Sequence, residues 1–188
     1  MKRIFIALKV NAENELLKMI SSFKEVLRND SVKWTHIENI HITLVFLGAT
    51  QESTINEIIP VLSEKCSGYG SFQLILSGCG IFRSLSDPRI IWTGIQHSDK
   101  LTALNTSIIS GLKGLNIKLE ERPYNPHLTV GRIKSINDVR LLESLLVVYR
   151  NTVLQNVYVG EVILYESILL PSGPVYKPLA KFSLDKSY

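Results

Sequence analysis

A chain of 188 residues that is 45% apolar can bury one sizeable core, as a single domain or as two lobes sharing a sheet system, and is short for two autonomous domains. Its formal charge of +4 is a mild excess of base, compatible with an anionic partner such as a nucleic acid and equally with many ordinary soluble proteins. Two cysteines, Cys66 and Cys79, without a CxxC or Cys/His cluster, argue against a disulfide framework or zinc site and fit a reducing cytoplasm; no uncharged apolar run approaches the roughly 20 residues of a membrane-spanning helix.

Met1 to Val10 opens with basic residues before apolar ones, as a signal peptide does. Lys9 interrupts the apolar stretch and no small-residue cleavage site follows, so the segment reads as a first strand with Ile4, Ile6 and Leu8 on one face. Leu16, Ile20, Phe23 and Leu27 recur at helical spacing; with Asn11 as N-cap and Glu13 in the first turn, a helix of about five turns is expected. Val32–Trp34 is expected to pair beside residues 41–47, which are apolar at alternating positions and end at Gly48. Ile55, Ile58, Ile59 and Leu62 predict a second helix that Pro60 should kink or shorten.

Phe72–Leu76 and Ile90–Gly94 read as strands bracketing a Gly-, Ser- and Pro-rich loop from Gly78 to Pro88. Ser98 caps a helix with Leu101, Leu104, Ile108 and Leu112 inward, stopped by Gly114. A strand follows at His127, and Ser135-Ile-Asn-Asp138 has the form of a capping box opening a helix with Val139, Leu142, Leu146 and Tyr149 inward. Val157–Ser167 and Val175–Leu184 close the chain as strands. Mixed strands and helices with short connections predict an α+β fold with mainly antiparallel sheets flanked by helices.

Two of these strands share an unusual phrase, His41-Ile-Thr-Leu44 and His127-Leu-Thr-Val130, nearly half the chain apart. A weak internal duplication, with halves of about 1–95 and 96–188 within one domain, is the simplest account. In a strand, residues i and i+2 share a face, so His41 with Thr43, and His127 with Thr129, project together while Ile42, Leu44, Leu128 and Val130 enter the core. On two similar lobes, two imidazoles and two hydroxyls would then converge across a groove. Near neutral pH one imidazole can take a proton from water while the other gives one to a leaving oxygen. The threonine hydroxyls can hold the non-bridging oxygens of a phosphate for in-line attack.

The bland reading is a strand-edge histidine bonded to a neighbouring threonine. With nine threonines in the chain, two such hits among four histidines arise by chance in about one or two sequences per hundred, which favours function. His36 and His97 lack the pattern and read as loop or strand-edge residues. A zinc site would need a third ligand, and neither phrase carries a nearby Asp, Glu or Cys at ligand spacing, so no metal is expected.

The phrases sit among Arg3-Ile-Phe-Ile-Ala7, Trp34, Glu38-Asn-Ile-His-Ile-Thr-Leu44, Phe46-Leu-Gly48, Pro88-Arg-Ile-Ile-Trp92, Arg122-Pro-Tyr-Asn-Pro-His-Leu-Thr-Val130, Arg132, Leu164-Tyr-Glu-Ser167 and Gly173-Pro-Val-Tyr176. On these residues, over nearly its whole length, the chain resembles the two-histidine phosphoesterases, and within them the RNA 2′,3′-cyclic phosphodiesterases once described as 2′-5′ RNA ligases. The resemblance implies a bilobal fold with pseudo-symmetric lobes and both motifs lining a central cleft. It implies hydrolysis of a terminal RNA 2′,3′-cyclic phosphate to a 2′-phosphomonoester, without metal or nucleotide cofactor, His41 donating a proton to the leaving 3′ oxygen and His127 accepting one from water. The expected partner is an RNA end, tRNA fragments included, met by a cytoplasmic monomer away from membranes. Ligation at the same site, or nucleotide binding without turnover, stays open.

One departure is Val45, where relatives often carry lysine; its absence is expected to weaken contacts to an RNA backbone and to leave acid and base in place. Arg132 matches a position that relatives use near the phosphate. Strict alternation puts it opposite His127, and a bulge at Gly131 would turn it to the cleft; the alternative is an exposed strand-end arginine. Tyr124 either stacks on a base or packs in the core.

Overall fold

The computed structural model describes residues 1–115, 117, 119, 123–171 and 173–185. Strand β1 (Lys2–Lys9) sends Ile4, Ile6 and Leu8 into the main core, as its alternation predicts, and Phe5 and Ala7 into a smaller cluster on the opposite face. Helix α1 (Asn14–Val26) buries Leu16, Met19, Ile20 and Phe23. Its N-cap is Glu13, not Asn11. The reason lies far along the chain: the Gln155 amide donates to the Asn11 carbonyl (2.7 Å) and accepts from the Glu13 N–H (3.0 Å), which ties residues 11–13 to a strand and shortens the helix to 13 residues.

Strand β2 (Ser31–Trp34) is followed by a short 3₁₀ turn, Ile37–Asn39, and by β3 (His41–Thr50). Contrary to expectation β2 does not lie beside β3; it pairs with β6 (His127–Ser135). There Trp34 faces Gly131, where a Cβ would stand 2.9 Å from the indole, so the glycine permits the close approach. Nor does β3 stop at Gly48. That residue takes φ +70°, Leu47 bulges out of register with β1, and pairing resumes to Thr50. Helix α2 (Glu52–Cys66) runs through Pro60 without shortening. Pro60 lies on the solvent face, where water can satisfy the Asn56 carbonyl it leaves unpaired, while Ile55, Ile58, Leu62 and Cys66 hold the other face in the core.

Strand β4 (Phe72–Phe82) absorbs the first part of the expected loop, because Gly78 forms a bulge whose carbonyl accepts from the buried Thr93 hydroxyl at 2.7 Å. β5 (Ile90–Ile95) follows, then α3 (Asp99–Lys113), capped by the Ser98 hydroxyl as predicted. Helix α4 (Val139–Tyr149) is capped by Asp138, whose carboxylate accepts from the Arg140 N–H; Ser135 is not a cap because it is paired within β6. Leu142 and Leu145 are its buried residues, with Val139, Leu146 and Tyr149 half-buried. The run 157–167 is not one strand: Gly160 divides β7 (Val153–Val159) from β8 (Glu161–Leu170), and β9 (Gly173–Ser183) ends the sheet.

Among the described residues nine strands form one antiparallel sheet in the order β7-β4-β5-β6-β3-β1-β8-β9, with β2 added beside β6. Helices α1 and α4 pack together near β7 and β4, and α2 and α3 pack together near β9 and β3. The α+β class with antiparallel sheet is as expected, but the two lobes share a single sheet. Their junction is narrow: β3 and β6 are in register at Ile42 and Leu128, both fully buried. That pair is the one ladder position the two strands share among the described residues. Among the described residues no helix is long and apolar enough to cross a membrane.

Candidate active site

Antiparallel residues that face each other across a ladder project to the same side of a sheet. Ile42 and Leu128 point together into the core, so their neighbours His41, Thr43, His127 and Thr129 all emerge on the other side. Continuing that register sets His41 beside Thr129 and Thr43 beside His127, a crosswise arrangement of two acid-base groups and two hydroxyls. All four line one cleft of about 420 Å³.

Both strands bulge immediately after the motif. In β3, Ala7 faces Thr43 but Ile6 faces Val45, leaving Leu44 as the extra residue. In β6, Trp92 faces Thr129 but Ile91 faces Gly131, leaving Val130 as the extra residue. Each bulge resets the alternation by one. Phe46 and Arg132, which simple alternation would send to the far face, therefore join the cleft lining. The carbonyls freed by the bulges are both taken up. The Asn105 amide of α3, 3% exposed, donates to the Leu44 carbonyl at 2.8 Å, and the Thr35 N–H donates to the Val130 carbonyl at 2.9 Å.

The imidazoles are anchored alike. Nδ1 of His41 lies 2.6 Å from the Asn39 carbonyl, and Nδ1 of His127 lies 2.8 Å from the Asn125 carbonyl. A carbonyl can only accept, so each Nδ1 carries the hydrogen and Nε2 is left to exchange protons with the cleft. Asn39 is itself held, its amide donating to the Pro174 carbonyl at 2.8 Å, which ties the 3₁₀ turn to the β8–β9 hairpin. The repeat is thus Asn-x-His-x-Thr in both strands, two residues longer than the phrase that draws the eye in the sequence.

Aromatic rings flank both histidines. Phe5 (5.0 Å between centroids) and Tyr176 (5.1 Å, edge-on) enclose His41, while Phe82 (4.7 Å, edge-on) supports His127. Burial pushes the His41 imidazole below its ordinary value; the bond to Asn39 opposes this, and the charges of His127 and Arg132 add to the depression. Among the described residues Arg3, Lys33 and Arg132 line the cleft and no Asp or Glu does, which makes its lining positive.

Of the other residues marked by the sequence, Tyr124 is not among the cleft-lining residues. It is half-buried against the core, its hydroxyl enclosed without a hydrogen-bond partner among the described residues, and burial raises its pKa. Val45 is buried at the bulge rather than exposed to the cleft. His97 is exposed and pairs with Asp99. His36 lies in the loop before the 3₁₀ turn, as expected, and it also lines the cleft, along with Lys33, Phe46 and Tyr176, which no local pattern marks as site residues. Arg122 lies outside the described residues. Among the described residues no three His, Cys, Asp or Glu side chains converge to hold a metal ion.

The model of the 2′-5′ RNA ligase superfamily matches residues 18–167. An RNA 2′,3′-cyclic phosphodiesterase of Thermotoga maritima is 34% identical over 181 residues, spanning 94% of this chain and 92% of that protein. One from Archaeoglobus fulgidus is also 34% identical, spanning 96% and 99%. Among solved structures, TT0787 of Thermus thermophilus superposes with a TM-score of 0.79 at 23% identity, covering 99% of this chain and 100% of that one. Escherichia coli LigT complexed with 3′-AMP superposes with a TM-score of 0.73 at 19% identity, covering 98% and 99%; at these identities the likeness establishes the fold. The match to the family model and the near full-length identity to these relatives agree, and the chain belongs to the 2′-5′ RNA ligase superfamily.

Proposed function

We propose that this protein hydrolyses a terminal RNA 2′,3′-cyclic phosphate to a 2′-phosphomonoester by paired histidine acid-base catalysis. The supporting observation is the Ile42–Leu128 register, which turns both His-x-Thr motifs to one face of the sheet, with Nε2 of each ring lacking a hydrogen-bond partner among the described residues. Relatives named for this activity, matching nearly the whole chain, support it further. Water attacks phosphorus as His127 Nε2 takes its proton. The bond from phosphorus to O3′ breaks as His41 Nε2–H protonates the departing oxygen. Thr43 and Thr129 donate to the non-bridging oxygens, and Arg132 offsets their charge. No metal or cofactor enters. We also propose that the chain is one domain of two related halves, about 1–95 and 96–188; the matching bulges after both motifs support this.

The test is an oligonucleotide ending in a 2′,3′-cyclic phosphate, incubated with protein and chelator, with the product end mapped. A 2′-phosphate formed at an undiminished rate is expected; a 3′-phosphate, or loss of turnover on chelation, overturns the scheme.

An acid with a depressed pKa has a consequence for pH dependence. His41 must be protonated to act, and in the free protein its protonated form is lost at lower pH than is ordinary for histidine. A bound phosphodiester anion raises it again. Because kcat/KM reports the free protein and kcat the complex, the high-pH limb of kcat/KM is expected at lower pH than that of kcat. Coincident or reversed limbs in the two rate profiles would contradict the role given to His41.

A further inference from the structure

The cleft holds more positive charge than its reaction needs. A cyclic phosphodiester is a monoanion, and Arg132, three residues beyond Thr129, is placed to meet it. Lys33 is a second cation directly across the β2–β6 ladder from Arg132, and both line the cleft. Directly opposed residues of an antiparallel pair have Cβ atoms about 4.5–5.5 Å apart, and like charges there repel. Among the described residues neither side chain forms an ion pair that would offset this repulsion. On the facing wall Arg3 lies over the Phe46 ring, 5.1 Å from its centroid, which holds a third cation toward the same space.

The order along the cleft sets what this charge meets. From Thr129, β6 leads through the bulge to Arg132, a rise of roughly 7–10 Å, and Lys33 stands beside that point on β2. The span is on the order of one backbone repeat of a stretched single strand. At the start of β9, Gly173 lies beside both His36 and the Lys33 stem.

We infer that Lys33 forms a second anion site, binding the phosphodiester one nucleotide 5′ of the reacting end, so that the protein reads an RNA chain rather than a lone cyclic nucleotide. This rests on the function proposed above.

The experiment compares a dinucleotide bearing a 2′,3′-cyclic phosphate with the corresponding nucleoside 2′,3′-cyclic phosphate, for the wild-type protein and for Lys33→Gln and Lys33→Arg. The wild type is expected to prefer the dinucleotide. Lys33→Gln is expected to lower kcat/KM on the dinucleotide by about tenfold, chiefly through KM, and by at least fivefold less on the mononucleotide, while Lys33→Arg retains the preference. Titration with a dinucleotide ending in a 3′-phosphate is expected to show a salt slope lower by about 0.7 in Lys33→Gln, the value for one lost phosphate contact on a single strand. Equal losses on both substrates would assign Lys33 to the terminal phosphate, and no loss would assign it to neither; either result overturns the inference. If the wild type turns over neither substrate, the proposed function fails, and the salt slope of the titration still decides the Lys33 site.

Discussion

Alanine at His41 or at His127 is expected to lower kcat by about a hundredfold or more, with the fold intact. Each ring performs one proton transfer in a single displacement, and a positioned acid or base is worth about 10² to 10⁴ in rate; a hundredfold loss corresponds to about 2.7 kcal/mol of barrier. The double variant is expected to lose far less than the product of the two single losses, because a step already deprived of its acid gains less from its base. Stability should change little. Both rings stand at a cleft wall, so truncation opens space continuous with solvent rather than a sealed void. Steady-state kinetics with a parallel thermal melt decide the matter. Either variant working within a few-fold of the wild type would remove that histidine from the mechanism.

Asn105→Leu is expected to be the most damaging change outside the cleft. Asn105 is almost wholly buried, and its amide satisfies the carbonyl of Leu44, the extra residue of the β3 bulge. Leucine has a similar volume and no donor, so a buried carbonyl is left unpaired at about 1–3 kcal/mol. For a chain of this size the melting point should fall by roughly 2–4 °C per kcal/mol. Thr43 adjoins Leu44, and the bulge re-aims Phe46; relaxation of the bulge therefore misplaces a hydroxyl of the site, and kcat should fall more than KM rises. A melt lowered as expected with unchanged kcat would show that Asn105 supports the fold without positioning the site.

Much of the site is legible before folding, because two of its features are local. A histidine and a threonine two apart in an apolar strand must share a face, whatever the strand packs against, and this holds for His41 with Thr43 and for His127 with Thr129. Helix α3 is likewise local: its apolar spacing, the Ser98 cap and Gly114 lie within one stretch. Where long-range contacts compete, local reading slips. Asn11 is a good cap residue, but Gln155 holds that segment extended. Ser135 begins a good capping box, but β2 pairs with it.

The amino-acid sequence by itself determined the chemistry present: the duplicated imidazole and hydroxyl pairs, the α+β class, and the mild basic charge. Only the tertiary structure decided their geometry. Periodicity carries no information about which strands are neighbours, so the Ile42–Leu128 junction, and with it the meeting of the two motifs, follows from pairing between distant strands. Bulges also depend on the partner strand, since an extra residue exists only relative to a ladder. For that reason Arg132 and Phe46 reach the cleft against simple alternation, and Lys33, with no motif around it, comes to stand beside Arg132.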